Sequence, residues 1–165
     1  FDQLSQELAA AGIDVFEQPL RAGDLLGMRE LRQRSGVPIA LDEPLCDPEF
    51  LHTLIRMEAI DFFVLKVARS GGVGPSLRML ELARAAGLGI LGSGLTESRV
   101  NLSACAQLLA AGGVTAPAAL NGPQFLAEDV VAGGLTITAD RVELSDQPGL
   151  GLVIDPAKLE RFRRG

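Results

Sequence analysis

Asp61-Phe62-Phe63-Val64-Leu65-Lys66-Val67-Ala68-Arg69-Ser70-Gly71-Gly72-Val73-Gly74 is the stretch on which the fold turns. Residues 62–65 form an unbroken apolar run with no helical spacing. A short run of that kind, leading to glycines, predicts a strand buried on both faces. Lys66 closes the run, where a lysine is costly unless it has a task or a partner. Gly71, Gly72 and Gly74 make a turn, and Pro75 suits the opening of the helix that follows. A charged residue at the carboxyl end of a buried parallel strand is where α/β barrels keep their reactive groups. Taken alone, Lys66 is equally a lysine that runs along the strand end and puts its ammonium into water.

The same alternation repeats on both sides. A helix is expected over 1–11, closed by Gly12, then a strand over 13–16 ending at Glu17-Gln18-Pro19. A helix over 24–34, stopped at Gly36, leads to a strand over 37–41 that ends at Asp42-Glu43-Pro44. Asp47 caps the next helix, with Pro48 at its first position and its end near Ala59. After the strand over 62–65 come a helix over 76–86, a strand over 88–91 and Gly92-Ser93-Gly94. Thr96 or Ser98 caps a further helix to about Ala111, and a weak Ala-rich strand is expected over 114–120. Successive β-then-α units imply a parallel sheet with helical crossovers.

Glu17 and Asp42 lie 25 positions apart, and Asp42 and Lys66 lie 24 apart. A (β/α) barrel divides into units of about 31 residues, so these are compact versions. A doubly wound sheet shows a similar alternation. Three consecutive strands, each ending in a charged group, favour a barrel, whose strand ends converge on one mouth. Beyond Pro123 the pattern changes. Residues 135–138 and 141–144 read as a hairpin about Ala139-Asp140, followed by a Pro148-Gly149-Leu150-Gly151 turn, a strand over 152–154 and a basic helix over 156–163. The expected division is therefore a partial (β/α) barrel over 1–125 and a hairpin, turn and tail over 126–165.

Nearly half of the 165 residues are apolar, enough for a sizeable core. The formal charge of -6 argues against a nucleic-acid-binding surface. No apolar run has membrane-spanning length, and residues 1–10 lack the pattern of a signal peptide. Cys46 and Cys105 have no metal-type spacing and read as free thiols of a cytoplasmic protein.

Glu17, Asp42 and Lys66 form the candidate constellation. Two carboxylates at neighbouring strand ends make a hard-oxygen site suited to Mg2+, or Mn2+ in its place. Without a cation they would repel. A cation beside a lysine favours the neutral amine, the form able to take a proton. Glu43, by strand alternation, faces away from Asp42. His52 falls mid-helix and reads as a surface residue.

Phe16-Glu17-Gln18-Pro19-Leu20, Ile39-Ala40-Leu41-Asp42-Glu43 and Leu65-Lys66-Val67-Ala68-Arg69-Ser70-Gly71-Gly72 resemble the enolase superfamily. The likeness is to its mandelate racemase/muconate lactonizing enzyme family, in the muconate cycloisomerase-like subgroup. The 92–100 segment resembles that family's seventh-strand segment, and 148–152 its closing turn. The resemblance implies a capping domain plus a modified barrel, with this chain covering about strands four to eight. It makes Glu17 and Asp42 the Mg2+ ligands of the fourth and fifth strands and Lys66 the acid/base lysine of the sixth. Glu97 falls where the family often places a glutamate lining the pocket; it is equally a helix N-terminal acid favoured by the dipole. Glu43, Arg69 and Asn121 are expected around the metal or the substrate pocket. The implied chemistry is removal of a proton next to a carboxylate, through an ene-diolate, as superfamily enzymes do with a Lys base and Mg2+. Racemisation, epimerisation, cycloisomerisation and dehydration share that intermediate.

The family's third-strand aspartate and second-strand Lys-x-Lys have no counterpart here. The capping domain and first strands are therefore expected to be absent, and the chain alone to be inactive. Dipeptide epimerases of the subgroup carry Asp-x-Asp on the eighth strand, where this chain has Ala119-Leu120-Asn121, so a dipeptide substrate is disfavoured. The expected substrate is a small carboxylate, with no nucleic-acid or membrane partner and with self-association. Two other classes fit the residues: a non-catalytic half barrel that needs a partner chain, and a Schiff-base lyase using Lys66.

Overall fold

Phe63, Val64 and Leu65 are each at most 2% exposed. Burial at consecutive positions, whose side chains point to opposite faces, means both faces of this strand are covered. The computed structural model describes residues 2–42, 47–94 and 97–163. The chain divides into two compact units, Phe1–Leu65 with Arg69–Leu91, and Lys66–Ala68 with Gly92–Gly165.

The first unit alternates α1 (Asp2–Ala10), β1 (Phe16–Glu17), α2 (Leu25–Ser35), β2 (Ile39–Leu41), α3 (Pro48–Met57), β3 (Phe62–Leu65), α4 (Val73–Ala85) and β4 (Gly89–Gly92). Gly92, the last residue of β4, belongs to the second unit. The sheet order is β1-β2-β3-β4. β1 runs parallel to β2 and β2 parallel to β3, with Glu17 opposite Ala40 and Leu41 opposite Phe63. This is the α/β architecture of a barrel wall. Met28, Leu51, Leu54, Met79 and Ala83 line the helix faces and are fully buried.

Local chemistry sets the helix ends. The Gly27 N–H donates to Asp24 Oδ1 at 2.9 Å, and the Phe50 N–H donates to Asp47 Oδ1 at 2.8 Å. Both are N-cap bonds to otherwise unpaired first-turn amides. α4 begins three residues earlier than the sequence predicts, at Val73, so Pro75 lies inside its first turn. No amide there needs an intrahelical acceptor, which is why proline is tolerated.

Asp61 joins the strand starts. Its Oδ2 accepts the Ile39 N–H at 2.9 Å and its Oδ1 accepts Arg32 Nε at 2.8 Å. Its backbone N–H donates to Ile39 O, and its carbonyl accepts the Gly89 N–H. Gly89 must be glycine for space: a Cβ there would stand 2.3 Å from the Phe62 ring.

The second unit holds α5 (Arg99–Ala111), a single 3-10 turn at Pro123–Phe125, β5 (Val131–Gly133), β6 (Leu135–Ile137), β7 (Val142–Leu144), β8 (Leu152–Ile154) and α6 (Pro156–Phe162). The expected hairpin is β6–β7. The last strand, β8, pairs antiparallel with β5, an element absent from the sequence prediction. The strand expected over 114–120 is reduced to one parallel bridge between Ser93 and Ala119. Pro117 has no N–H for a ladder, and the alanines around it give no apolar alternation. Ser98 occupies the N-cap of α5 but makes no side-chain capping bond. The Arg99 N–H instead donates to Asp129 Oδ2 at 2.8 Å. Thr96, the other expected cap, lies outside the described residues. Among the described residues no helix is long and apolar enough to cross a membrane.

Candidate functional site

In the first unit, Glu17 is the last residue of β1, and Asp42 is the first residue beyond β2. Because these strands are parallel neighbours, both carboxylates leave the same end of the sheet. Glu17 is exposed and Asp42 half-buried.

The residue between them that the sequence reading passed over is Gln18. Its backbone takes a positive φ of 47°, and its N–H donates to Ala40 O at 2.9 Å. Its Oε1 accepts the Asp42 N–H at 3.2 Å, while its Nε2 donates to Leu20 O at 2.8 Å. One side chain thus ties the turn after β1 to the end of β2, carrying the two carboxylates with it. The signal available in the sequence was an amide, able both to donate and to accept, directly after Glu17.

Two carboxylates at one sheet end fit a hard divalent cation, which prefers oxygen ligands. The set is partial: among the described residues no group of three or more His, Cys, Asp or Glu side chains is placed to hold a metal. Glu43 lies outside the described residues. Arg69 and His52 are exposed.

Lys66 belongs to the second unit and is only 7% exposed. The same unit gathers Ser93, Glu97, Asn101 and Cys105. The Asn101 amide donates to Glu97 Oε2. Cys105 donates to Ser93 O at 3.9 Å and is fully buried. Burial, then the charge of Glu97, raise the Cys105 thiol from an ordinary value of 9.0 to about 11, opposed by the Val67 backbone hydrogen bond. Cys105 therefore stays a neutral thiol at physiological pH. Asn121 is exposed. The structure thus brings Glu17 and Asp42 together in one unit, and Lys66 and Glu97 belong to the other.

The chain belongs to the enolase C-terminal domain-like family, whose sequence profile matches residues 3–158. It is a C-terminal portion of the mandelate racemase/muconate lactonizing enzyme family of the enolase superfamily. It is 34% identical over 160 residues to muconate cycloisomerase 1 of Pseudomonas putida, covering 96% of this chain and 43% of that protein. It is also 34% identical over 153 residues to the L-Lys-D/L-Arg epimerase of Methylococcus capsulatus, covering 92% of this chain and 42% of that protein. The solved muconate lactonizing enzyme from Pseudomonas putida superposes with a TM-score of 0.89 at 32% identity, over 98% of this chain and 45% of that one. The chain spans less than half the length of these relatives.

Proposed function

We propose that this chain carries part of the active site of an Mg2+-dependent isomerase or lyase that moves a proton next to a substrate carboxylate. The observation that carries the reading is Glu17 and Asp42 at the ends of neighbouring parallel strands, with buried Lys66 directly after the next strand. The relatives are isomerases and epimerases, which supports the same class.

Glu17 and Asp42 would hold the cation. When bound, it would supply positive charge to the substrate carboxylate. Gln18 keeps the turn after β1 fixed to the end of β2, so the two ligands need not be ordered at each binding event. Lys66 Nζ takes or returns the proton on one face of the α-carbon. Burial of Lys66 removes competing water, which strengthens its interaction with charge that develops nearby.

Ala119 and Leu120 offer no carboxylate to an ammonium group, so we assign a small carboxylate rather than a dipeptide as substrate. The test is solvent-deuterium incorporation next to the carboxylate. It is followed by proton NMR with Mg2+, on the natural-length protein and a panel of α-proton-bearing acids that includes muconate. Incorporation is expected, and Lys66→Ala should lower it at least about a hundredfold, the lower range for a lost general base. Unchanged incorporation in Lys66→Ala removes Lys66 from the reaction. Borohydride trapping of a carbonyl substrate on Lys66 would instead identify a Schiff-base lyase.

A further inference from the structure

Asn101 and Cys105 lie four residues apart on α5, the spacing that puts side chains above one another, and Glu97 precedes the Ser98 N-cap of that helix. Asn101 Nδ2 donates back to Glu97 Oε2. Cys105, one turn further on, is wholly buried and turned to the Ser93 carbonyl. Glu97 Oε1 is buried as well, yet it has no hydrogen-bond partner among the described residues. A carboxylate held by one oxygen, with the other buried and unfilled, is set to receive a donor.

We propose that Asn101 is a positioning residue for Glu97: its amide holds Oε2 and so keeps Oε1 as the acceptor for a hydrogen-bond donor on the ligand. This rests on the reading that Glu97 lines the ligand site. An asparagine suits the task because it donates to the carboxylate without neutralising it. Without that bond the Glu97 side chain regains its rotamers, and Oε1 is no longer fixed.

Cys105 is a built-in reporter of where Glu97 stands, because the Glu97 charge helps to hold the thiol protonated. The Val67 backbone also bonds the thiol and acts in the opposite direction. The experiment titrates Cys105 by its 13Cβ chemical shift in a Cys46→Ser background, which leaves one thiol in the chain, so that no reagent has to reach the buried group. At a fixed pH the ratio of thiolate to thiol changes about tenfold per unit of thiol pKa.

Glu97→Gln should raise the thiolate fraction at a fixed alkaline pH, because the charge that holds the thiol protonated is gone. Asn101→Leu should raise it in the same direction, as Glu97 swings away. The double variant should show no more thiolate than Glu97→Gln alone. That last result separates positioning from packing, since a purely structural effect of Asn101 would persist without the Glu97 charge. Asn101→Ala replaces Asn101→Leu if circular dichroism shows the latter unfolded. An unchanged or lower thiolate fraction in the Asn101 variant, an unchanged fraction in Glu97→Gln, or effects that add in the double variant each overturn the proposal. No substrate enters this measurement, so its failure and the failure of the deuterium assay are distinguishable.

Discussion

At the scale of single residues, burial and hydrogen bonding give distinct expectations. The Cys105 thiol has a raised folded-state value of about 11. A raised value means the folded chain binds this proton more tightly than the unfolded chain. The stabilisation is fully present below pH 9 or so and is lost as pH climbs toward 11. Urea melts should show alkaline destabilisation of up to about 2–3 kcal/mol across that window. Cys105→Ala should flatten the profile there, and an identical profile in the variant would show that the thiol is not its source. Glu58, the C-cap of α3, adopts a left-handed φ of 54°. Such a backbone strains a residue with a Cβ, so Glu58→Gly should raise stability by about 0.5–1 kcal/mol in denaturant melts. The strand-end position of Lys66 was legible in the sequence because the apolar run of β3 stops there. The bond between Asn101 and Glu97 was not, since Glu97 precedes the helix and only the fold shows which nearby polar side chain it meets.

At the scale of elements, the strands of the first unit depend on Asp61. Its carboxylate satisfies the Ile39 N–H and binds Arg32. Asp61→Ala leaves that part-buried N–H without its acceptor and should cost about 1–3 kcal/mol of stability by urea denaturation. An effect within error of zero would mean that water replaces the carboxylate. The reading of β3 held because its buried run is short, dense and bounded by glycines. The β6–β7 hairpin held because its alternation brackets a plain turn. The first strand lies later than expected, at Phe16–Glu17 rather than over 13–16, because backbone pairing with β2 decided its place and the apolar pattern did not. β5 was missed for a related reason. It is three residues long, ends in a glycine, and exists by pairing with β8, a non-local partner that periodicity cannot show.

At the scale of the whole molecule, the first unit's sheet has β1 as an end strand. End strands present backbone groups able to pair with another chain. We therefore expect concentration-dependent self-association in light scattering, and a monodisperse monomer at all concentrations would remove that expectation. The parallel α/β class was legible from the alternation of elements, and the family from three strand-end motifs in order. Glu17 and Asp42 together are expected to bind one divalent cation. Titrating Mn2+ into the isotope-labelled chain and recording paramagnetic broadening of its backbone amides tests this most directly. Broadening should begin at Gln18 and Asp42, and both Glu17→Gln and Asp42→Asn should abolish it there. Broadening that begins instead near Glu128 or Glu160, or that persists at Gln18 in both variants, would contradict the claim.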